Sequence, residues 1–447
     1  MANQVVTVVG GGLAGSECAL QLAARGVSVR LCEMRPQTMT PAHRTAAFAE
    51  LVCSNSLKST RPDSAAGLLK SELRRMGSKL LECAEQAAVP AGGALAVDRG
   101  AFSALVGKRI EGDPLIEVVH GEVTDIPEGR VVIAAGPLCS DALADRLRAL
   151  VGGESLSFFD AAAPIVDAAT LDLDVLFRQS RYDDAGRGDY LNAPLNRDEY
   201  DAFIDALVGA ERVVQRDFEK GGLFQACQPA EEVARTGHDA LRFGAMKPVG
   251  LTDPRTGRRP WAALQLRAEN ADGTAYNLVG FQTNLTFGEQ KRVFRMIPGL
   301  QNAEFFRFGV MHRNTFFDSP HVLDRTFAIP GTKVRLAGQI TGTEGYVEAI
   351  ASGLVAALNT YAEIIGAAPL ELPVTGALGS LIAYATDPAT EQYQPMHVNF
   401  GLVPPLEDGK RRGKRERYAA YADRAERDLS VYLAARSELF SEGELHG

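Results

Sequence analysis

Nowhere does the chain string together the roughly 20 apolar residues that a membrane-spanning helix requires. Its first apolar run, Val5 to Val9, is too short for the hydrophobic region of a secretion signal. Cysteine is scarce: there are six in 447 residues and no CxxC pair, which gives neither a disulfide framework nor a zinc site. A reducing, cytoplasmic setting is expected, without a metal, and a working cysteine would act as a thiol or thiolate. An excess of positive charge is lacking as well. The formal charge is −9, so binding to nucleic acid would have to rest on local basic surface. Two segments offer that: Arg255, Arg258 and Arg259 around a glycine turn, and the run Lys410-Arg411-Arg412-Gly413-Lys414-Arg415. Each reads equally well as solvated loop charge. Internal repeats and low-complexity segments are also missing.

What the chain does have is glycine, 44 residues of it, which supplies tight turns and close backbone approach. Its length exceeds what one hydrophobic core usually supports, so two domains are expected. Gln4 to Val9 reads as a buried parallel strand, Ser16 to Arg25 as a helix, and Val27 to Leu31 as a second strand followed by Glu33. Between the first strand and the helix lies Gly10-Gly11-Gly12-Leu13-Ala14-Gly15. In such a turn Gly10 permits the reversal, Gly12 lets amides approach a diphosphate, and Gly15 lets the helix pack on the sheet. The helix start carries the positive end of the dipole. Glu33, with Met34 and Arg35 after it, is placed to accept from ribose hydroxyls, which favours FAD or NAD over NADP.

A second signal selects FAD. Leu336-Ala337-Gly338-Gln339 closes a strand, and Gly342-Thr343-Glu344-Gly345-Tyr346 opens a long helix. A helix start at the pyrimidine edge of a flavin stabilises negative charge on its reduced form.

Elsewhere, Thr40 to Thr60 is irregular, with an apolar Leu51-Val52-Cys53 centre expected to lie partly buried near the cofactor. Ala65 to Ala88 reads as one long helix, Asp98-Arg99 opens another, Arg130 to Ala134 is a strand, and Ser140 caps a further helix. From about 150 to 320 the strand-helix-strand rhythm disappears. Val334 to Ala337 restores it, a helix follows over about Gly345 to Ile365, and the tail at roughly 410–438 is charged and helical. The expected architecture is α/β: a Rossmann-like FAD-binding domain of the glutathione-reductase type, formed by 1–149 and 321–447. An α+β substrate domain over 150–320 is inserted in it.

Eight segments carry a resemblance. They are V-V-G-G-G-L-A-G-S-E at 8–17, E-M-R-P at 33–36, T-P-A-H at 40–43 and L-V-C-S-N-S-L at 51–57, then P-A-G-G-A-L-A-V-D-R at 90–99, M-K-P-V-G-L at 246–251, G-V-M-H-R-N-T at 309–315 and A-G-Q-I-T-G-T-E-G-Y at 337–346. With these the chain resembles the folate- and FAD-dependent tRNA uracil-5-methyltransferases, the TrmFO family, over nearly its whole length. The resemblance implies transfer of a one-carbon unit from 5,10-methylenetetrahydrofolate to C5 of the T-loop uridine of tRNA (position 54). Reduced FAD completes the methyl group and NAD(P)H restores the flavin. It further implies that Cys53 and Cys227 are the two functional cysteines and that His312 lies flat against the folate pterin.

The chemistry asks for such groups independently. C5 of uracil is a poor nucleophile, a thiolate added at C6 makes it enolate-like, and a base must then remove the C5 proton. Either cysteine satisfies either role. Cys18, Cys32 and Cys83 read as packing residues and Cys139 as a loop thiol. His43 is expected to line the flavin pocket. Arg99 and Lys247 are expected to face an anion: FAD phosphate, folate glutamate or tRNA. No second glycine fingerprint marks a separate NAD(P)H domain, and no obligate protein partner is evident. Two other activities compete: C5 modification of the tRNA wobble uridine by a larger flavoprotein with a further C-terminal helical domain, and NAD(P)H-dependent oxidoreduction of a small molecule.

Overall fold

The computed structural model describes residues 5–40, 42–152, 155–181, 188–213, 228–391, 393–407, 410 and 412–440. Strand β1 (Val5–Val9) is a run of valines and a threonine with four of its five residues buried. It lies between two parallel neighbours, β2 (Ser28–Glu33) on one side and Arg130–Ile133 on the other. The full sheet is parallel, in the order Val334–Leu336, Arg130–Ile133, β1, β2, Ile116–His120. One edge strand thus comes from far beyond the middle of the chain.

Helix α1 (Leu13–Ala24) has every residue from Leu13 to Ala23 buried, because the sheet covers one side and the long helix Tyr346–Ile365 the other. It starts at Leu13, three residues before the expected Ser16. Gly12 caps it in an extended conformation, and the apolar Leu13 and Ala14 bring the first turn directly onto the strand end. Glu33 is the last residue of β2 and does not follow it. The expected single helix from Ala65 to Ala88 is two, α2 (Ala65–Arg75) and α3 (Lys79–Gln86). Gly77 at φ +71° turns the chain, and Ser78 caps the second helix by accepting from Leu81 N.

Residues 165–307 build a different sheet of six antiparallel strands. Their order is Phe177–Arg178, Tyr190–Leu195, Ala262–Ala268, Ala275–Leu278, Ile165–Asp167, Phe305–Arg307. Its hydrophobic core draws on residues between Val166 and Phe305. The core around the parallel sheet draws on Val6 to Leu147 and Phe316 to Phe440. A two-stranded antiparallel ribbon, Ser155–Ala161 with Met311–Phe317, carries the chain between the two. The C-terminal helix covers Lys414–Ala434, shorter than the expected tail. Among the described residues no helix is long and apolar enough to cross a membrane.

Candidate functional site

A cleft opens at the carboxyl ends of β1 and β2, where open parallel sheets bind ligands. It is lined by Gly10, Gly12, Leu13 and Ala14, by Glu33, Met34 and Arg35, and from the distant segment by Gly338, Gln339 and Tyr346. The turn tolerates no side chain at two of its glycines. Gly10 has φ +104°, and a Cβ there would stand 2.5 Å from the Ala134 carbonyl oxygen. A Cβ on Gly15 would lie 1.8 Å from the Gly10 carbonyl oxygen. Beside Gly12 the space is open to 4 Å, and the first turn of α1 carries no acidic residue. Free amides, a positive helix end and open space suit the diphosphate of a dinucleotide.

Gly11 points the other way, its N–H donating to Glu33 Oε2 at 2.7 Å. Arg35 donates to the same carboxylate three times, from its backbone N at 2.9 Å, Nε at 2.8 Å and Nη2 at 3.1 Å. Those four donors take the roughly four acceptor sites of a carboxylate. Binding a ribose hydroxyl at Glu33 therefore exchanges one of these bonds instead of filling a free position. Burial alone would raise the Glu33 pKa, but the Arg35 hydrogen bonds and charge outweigh it and hold the carboxyl below its usual range. His43 also lines the cleft. The Thr40 hydroxyl accepts from the backbone N–H groups of Ala42 and His43 and lies 2.6 Å from His43 Nδ1. Its own proton is left to point at Nδ1, so Nε2 carries the ring proton. Burial and the Arg35 charge push the imidazole down to about 4, so His43 is neutral at physiological pH.

At the other end Val52 and Tyr346 line the cleft, with half-buried Cys53 beside them. The Tyr346 hydroxyl accepts from Cys53 N at 2.8 Å and Ser54 N at 3.2 Å. Cys53 Sγ lies 2.9 Å from the same oxygen. With its lone pairs committed to two amides, the phenol is left to donate its proton to sulfur. Burial, and then the neighbouring Cys53, push the Tyr346 pKa well above its ordinary value, so it keeps that proton. This contact joins residues 293 apart, and residue spacing gave no hint of it. Gly342, Thr343 and Glu344 are buried behind the cleft wall, with Glu344 N bonded to Met396 O at 2.9 Å and its carboxylate accepting from Gln339. Gly345 caps the long helix.

Arg99 is already engaged. Its Nη1 donates to Leu51 O at 2.9 Å, and its Nε stands 2.7 Å from Glu269 Oε2, an ion pair too bent to be a hydrogen bond. The cation that sequence reasoning passed over is Arg307. Its Nε and Nη2 are buried without a hydrogen-bond partner. Burial and the nearby Arg99 lower its pKa, while Tyr346 and Cys53 act in the opposite direction. A buried, unpaired guanidinium is costly. The signal available was its place in F-F-R-F, directly before G-V-M-H-R-N-T.

His312 is placed by its backbone, opposite Asp160 in the ribbon register. Cys227 lies outside the described residues. Lys247 follows the short helix Ala240–Phe243, its N–H bonded to Gly244 O. Of the basic residues, Arg255, Arg258 and Arg259 are all exposed, and Arg255 is tied to Asp253 through Nη2 at 2.9 Å. Lys414 and Arg415 open the C-terminal helix, and Arg415 pairs with Asp63 at 3.4 Å. Arg411 is outside the described residues. Cys18 and Cys83 are fully buried, and burial raises the thiol pKa of both and of Cys32. Burial pushes Cys139 up to about 11.

A parallel α/β sheet with an anion-ready glycine turn, closed by a second glycine-rich segment from the far end of the chain, defines a Rossmann-type dinucleotide-binding protein with a thiol at the cleft. The chain belongs to the glucose inhibited division protein A family, whose model matches residues 5–368, and within it to the TrmFO proteins. It is 56% identical over 431 residues to the methylenetetrahydrofolate--tRNA-(uracil-5-)-methyltransferase TrmFO of Geobacter sulfurreducens, covering 96% of this chain and 99% of that protein. It is 53% identical to the Pelotomaculum thermopropionicum protein of the same name, covering 95% and 97%. Among solved structures, Aquifex aeolicus GidA superposes with a TM-score of 0.70 over 99% of this chain and 75% of that one. At 18% identity that likeness speaks for the shared fold.

Proposed function

We propose that the chain methylates C5 of a uridine in tRNA, taking the carbon from 5,10-methylenetetrahydrofolate with FAD bound in the cleft. The uridine is that at position 54 of the T loop. The observation that carries this reading is the Cys53 thiol, held 2.9 Å from the Tyr346 hydroxyl beside a dinucleotide cleft. A thiol at that place has no task in binding the dinucleotide; it is suited to attack on a ligand lying over the cofactor.

In this reading the turn Gly10 to Gly15 holds the FAD diphosphate, through the amides from Gly12 onward at the start of α1. Glu33, Met34 and Arg35 hold its adenosine end. Gly338, Gln339 and Tyr346 flank the ring, with Gly342 to Gly345 behind them. Reduced FAD supplies the two electrons that turn the transferred methylene into a methyl group, and NAD(P)H restores it. Cys53 and Cys227 divide two roles: one thiolate adds to C6 of the uracil, and the other group takes the proton from C5. The role assigned to His312 is to orient the folate donor. The unpaired Arg307 guanidinium supplies positive charge next to Cys53, which favours a thiolate there. Arg258, Arg259 and the basic run at 410–415 contact tRNA phosphates. Substrate and protein meet in the cytoplasm.

The test is direct. Transfer RNA lacking the T-loop methyl is incubated with the purified protein, methylenetetrahydrofolate and NADPH, and the nucleosides are analysed. 5-Methyluridine at position 54 is the expected product; its absence sinks the reading. Trapping on tRNA containing 5-fluorouracil assigns the thiols, because the adduct is lost on replacing the attacking cysteine by alanine and kept on replacing the other.

A further inference from the structure

We infer that Arg267, carried by the inserted sheet, is a positioning residue for the Cys53 thiol: it fixes the backbone just beyond Cys53 so that Tyr346 can hold the sulfur. This inference rests on Cys53 being a reactive thiol. Arg267 is the last but one residue of the strand Ala262–Ala268 and is 6% exposed. Its Nε donates to Asn55 Oδ1 at 2.7 Å and its Nη2 to Ser54 Oγ at 2.8 Å. One rigid, planar fork therefore grips the two side chains that follow Cys53.

Those two are fixed in turn. Asn55 Nδ2 donates to Ala268 O at 2.9 Å and to Val97 O at 3.0 Å, while its backbone carbonyl accepts from Val97 N at 3.0 Å. Ser54 Oγ also accepts from Ser56 N at 3.1 Å. On the near side, Arg99 holds Leu51 O. Cys53 is thus suspended between two clamped ends with its own N–H on the Tyr346 hydroxyl.

Two physical points separate this from ordinary packing. A buried guanidinium whose hydrogen bonds go to neutral side chains, with Glu269 as its neighbouring negative charge, adds little to the stability of a fold. A reacting atom, in contrast, must be held within a fraction of an ångström, and a fork onto consecutive residues achieves that. Lysine keeps the charge but presents a single nitrogen that cannot span both acceptors in the same plane.

The experiment uses the full-length FAD-loaded protein with Arg267→Lys, and separately Ser54→Ala, which removes one of the two acceptors. Three quantities are read: kcat for tRNA methylation, KM for methylenetetrahydrofolate, and the pH profile of iodoacetamide alkylation at Cys53, followed by mass spectrometry of its peptide. Arg267→Lys is expected to lower kcat about tenfold or more with KM within twofold, and to move the alkylation half-point up by about one pH unit. Ser54→Ala should change both in the same direction by less. If FAD is retained and both variants keep kcat within twofold and an unshifted alkylation profile, the positioning role is overturned. Should Arg267→Lys fail to hold FAD, Ser54→Ala decides by the same criteria. Cys53→Ala run alongside keeps the two ideas apart: full methylation by that variant removes Cys53 from the chemistry, while the alkylation profile still reports whether Arg267 sets the thiol.

Discussion

The two ends of the cleft are built in opposite ways. At the glycine-turn end the residues that bond the Glu33 carboxylate lie within one stretch of 26, from Gly10 to Arg35, and its side-chain hydrogen bonds stay inside it. At the thiol end, Cys53 and its neighbours are held by Arg99, Arg267 and Tyr346, from three other parts of the chain. The first end is a local motif that many sequences can carry to bind a dinucleotide. The second exists only when the parallel sheet, the inserted sheet and the long helix are all in place. Recognition of the cofactor is therefore robust, and the placement of the thiol depends on tertiary assembly.

Substitutions can break this contrast. Cys53→Ala should abolish methylation, by roughly 10³-fold or more, while the absorbance of bound flavin stays normal; loss of the flavin would show the ends to be coupled. Tyr346→Phe leaves the Cys53 and Ser54 amides without their acceptor and the sulfur without its donor, at about 1–3 kcal/mol. Its expected effect is a fall in kcat of about tenfold to a hundredfold, seen in single-turnover assays, with cofactor affinity altered far less. Gly10→Ala attacks the other end: it forces a side chain into a φ of +104° against backbone, costing about 1–3 kcal/mol. Denaturant titration should register that loss together with a lower flavin content, and the Cys53 alkylation profile should stay unmoved.

Acid sharpens the contrast further. The Glu33 carboxyl titrates below its unfolded value, so its contribution is complete above about pH 4.5 and is lost only as pH falls through the lower, folded value. Burial pushes Glu72, which accepts from the first amides of the helix Ala377–Thr386, up to about 7. The fold thus prefers its protonated form, and stability from this group declines as pH rises from about 4.5 to 7. Thermal melts across that window should show a decline that Glu72→Gln lessens and Glu33→Gln does not, the rest coming from Glu17 and Glu231, which burial raises too. The smallest change is expected from Arg258→Ala and Arg259→Ala. Each should lower the salt slope of tRNA affinity by roughly one, and an unchanged slope would make that loop a solvated one.

The same contrast explains what could be read in advance. β1, the glycine turn and β2 were legible because a valine run, three spaced glycines and an acid at the next strand end are all local signals. The start of α1 was misjudged by three residues, since Leu13 and Ala14 look like turn residues until the sheet beneath them is known. Gly77 and Ser78 divide α2 from α3 by a positive φ and a cap that an apolar periodicity hides. Cys53 was legible only as a motif. Its partner Tyr346 lies 293 residues away, Arg267 reaches the next two residues across 213 and 212, and nothing in spacing or composition connects them.

The position of α1, enclosed between the parallel sheet and the helix Tyr346–Ile365, also fixes an order of events during synthesis. One face of α1 and the edge beside Arg130–Ile133 stay uncovered until residues 334–365 have been made, whereas the core of the inserted sheet is complete by Phe305. At about 5–20 residues per second the nascent first half waits on the order of ten seconds or more with an open sheet edge exposed to chaperones. Protease treatment of released chains truncated near 320 and near 380 should find residues 165–307 protected in both and α1 only in the longer. A cofactor-binding unit split this way becomes able to hold its ligand late in translation, after the part of the molecule that steadies the thiol.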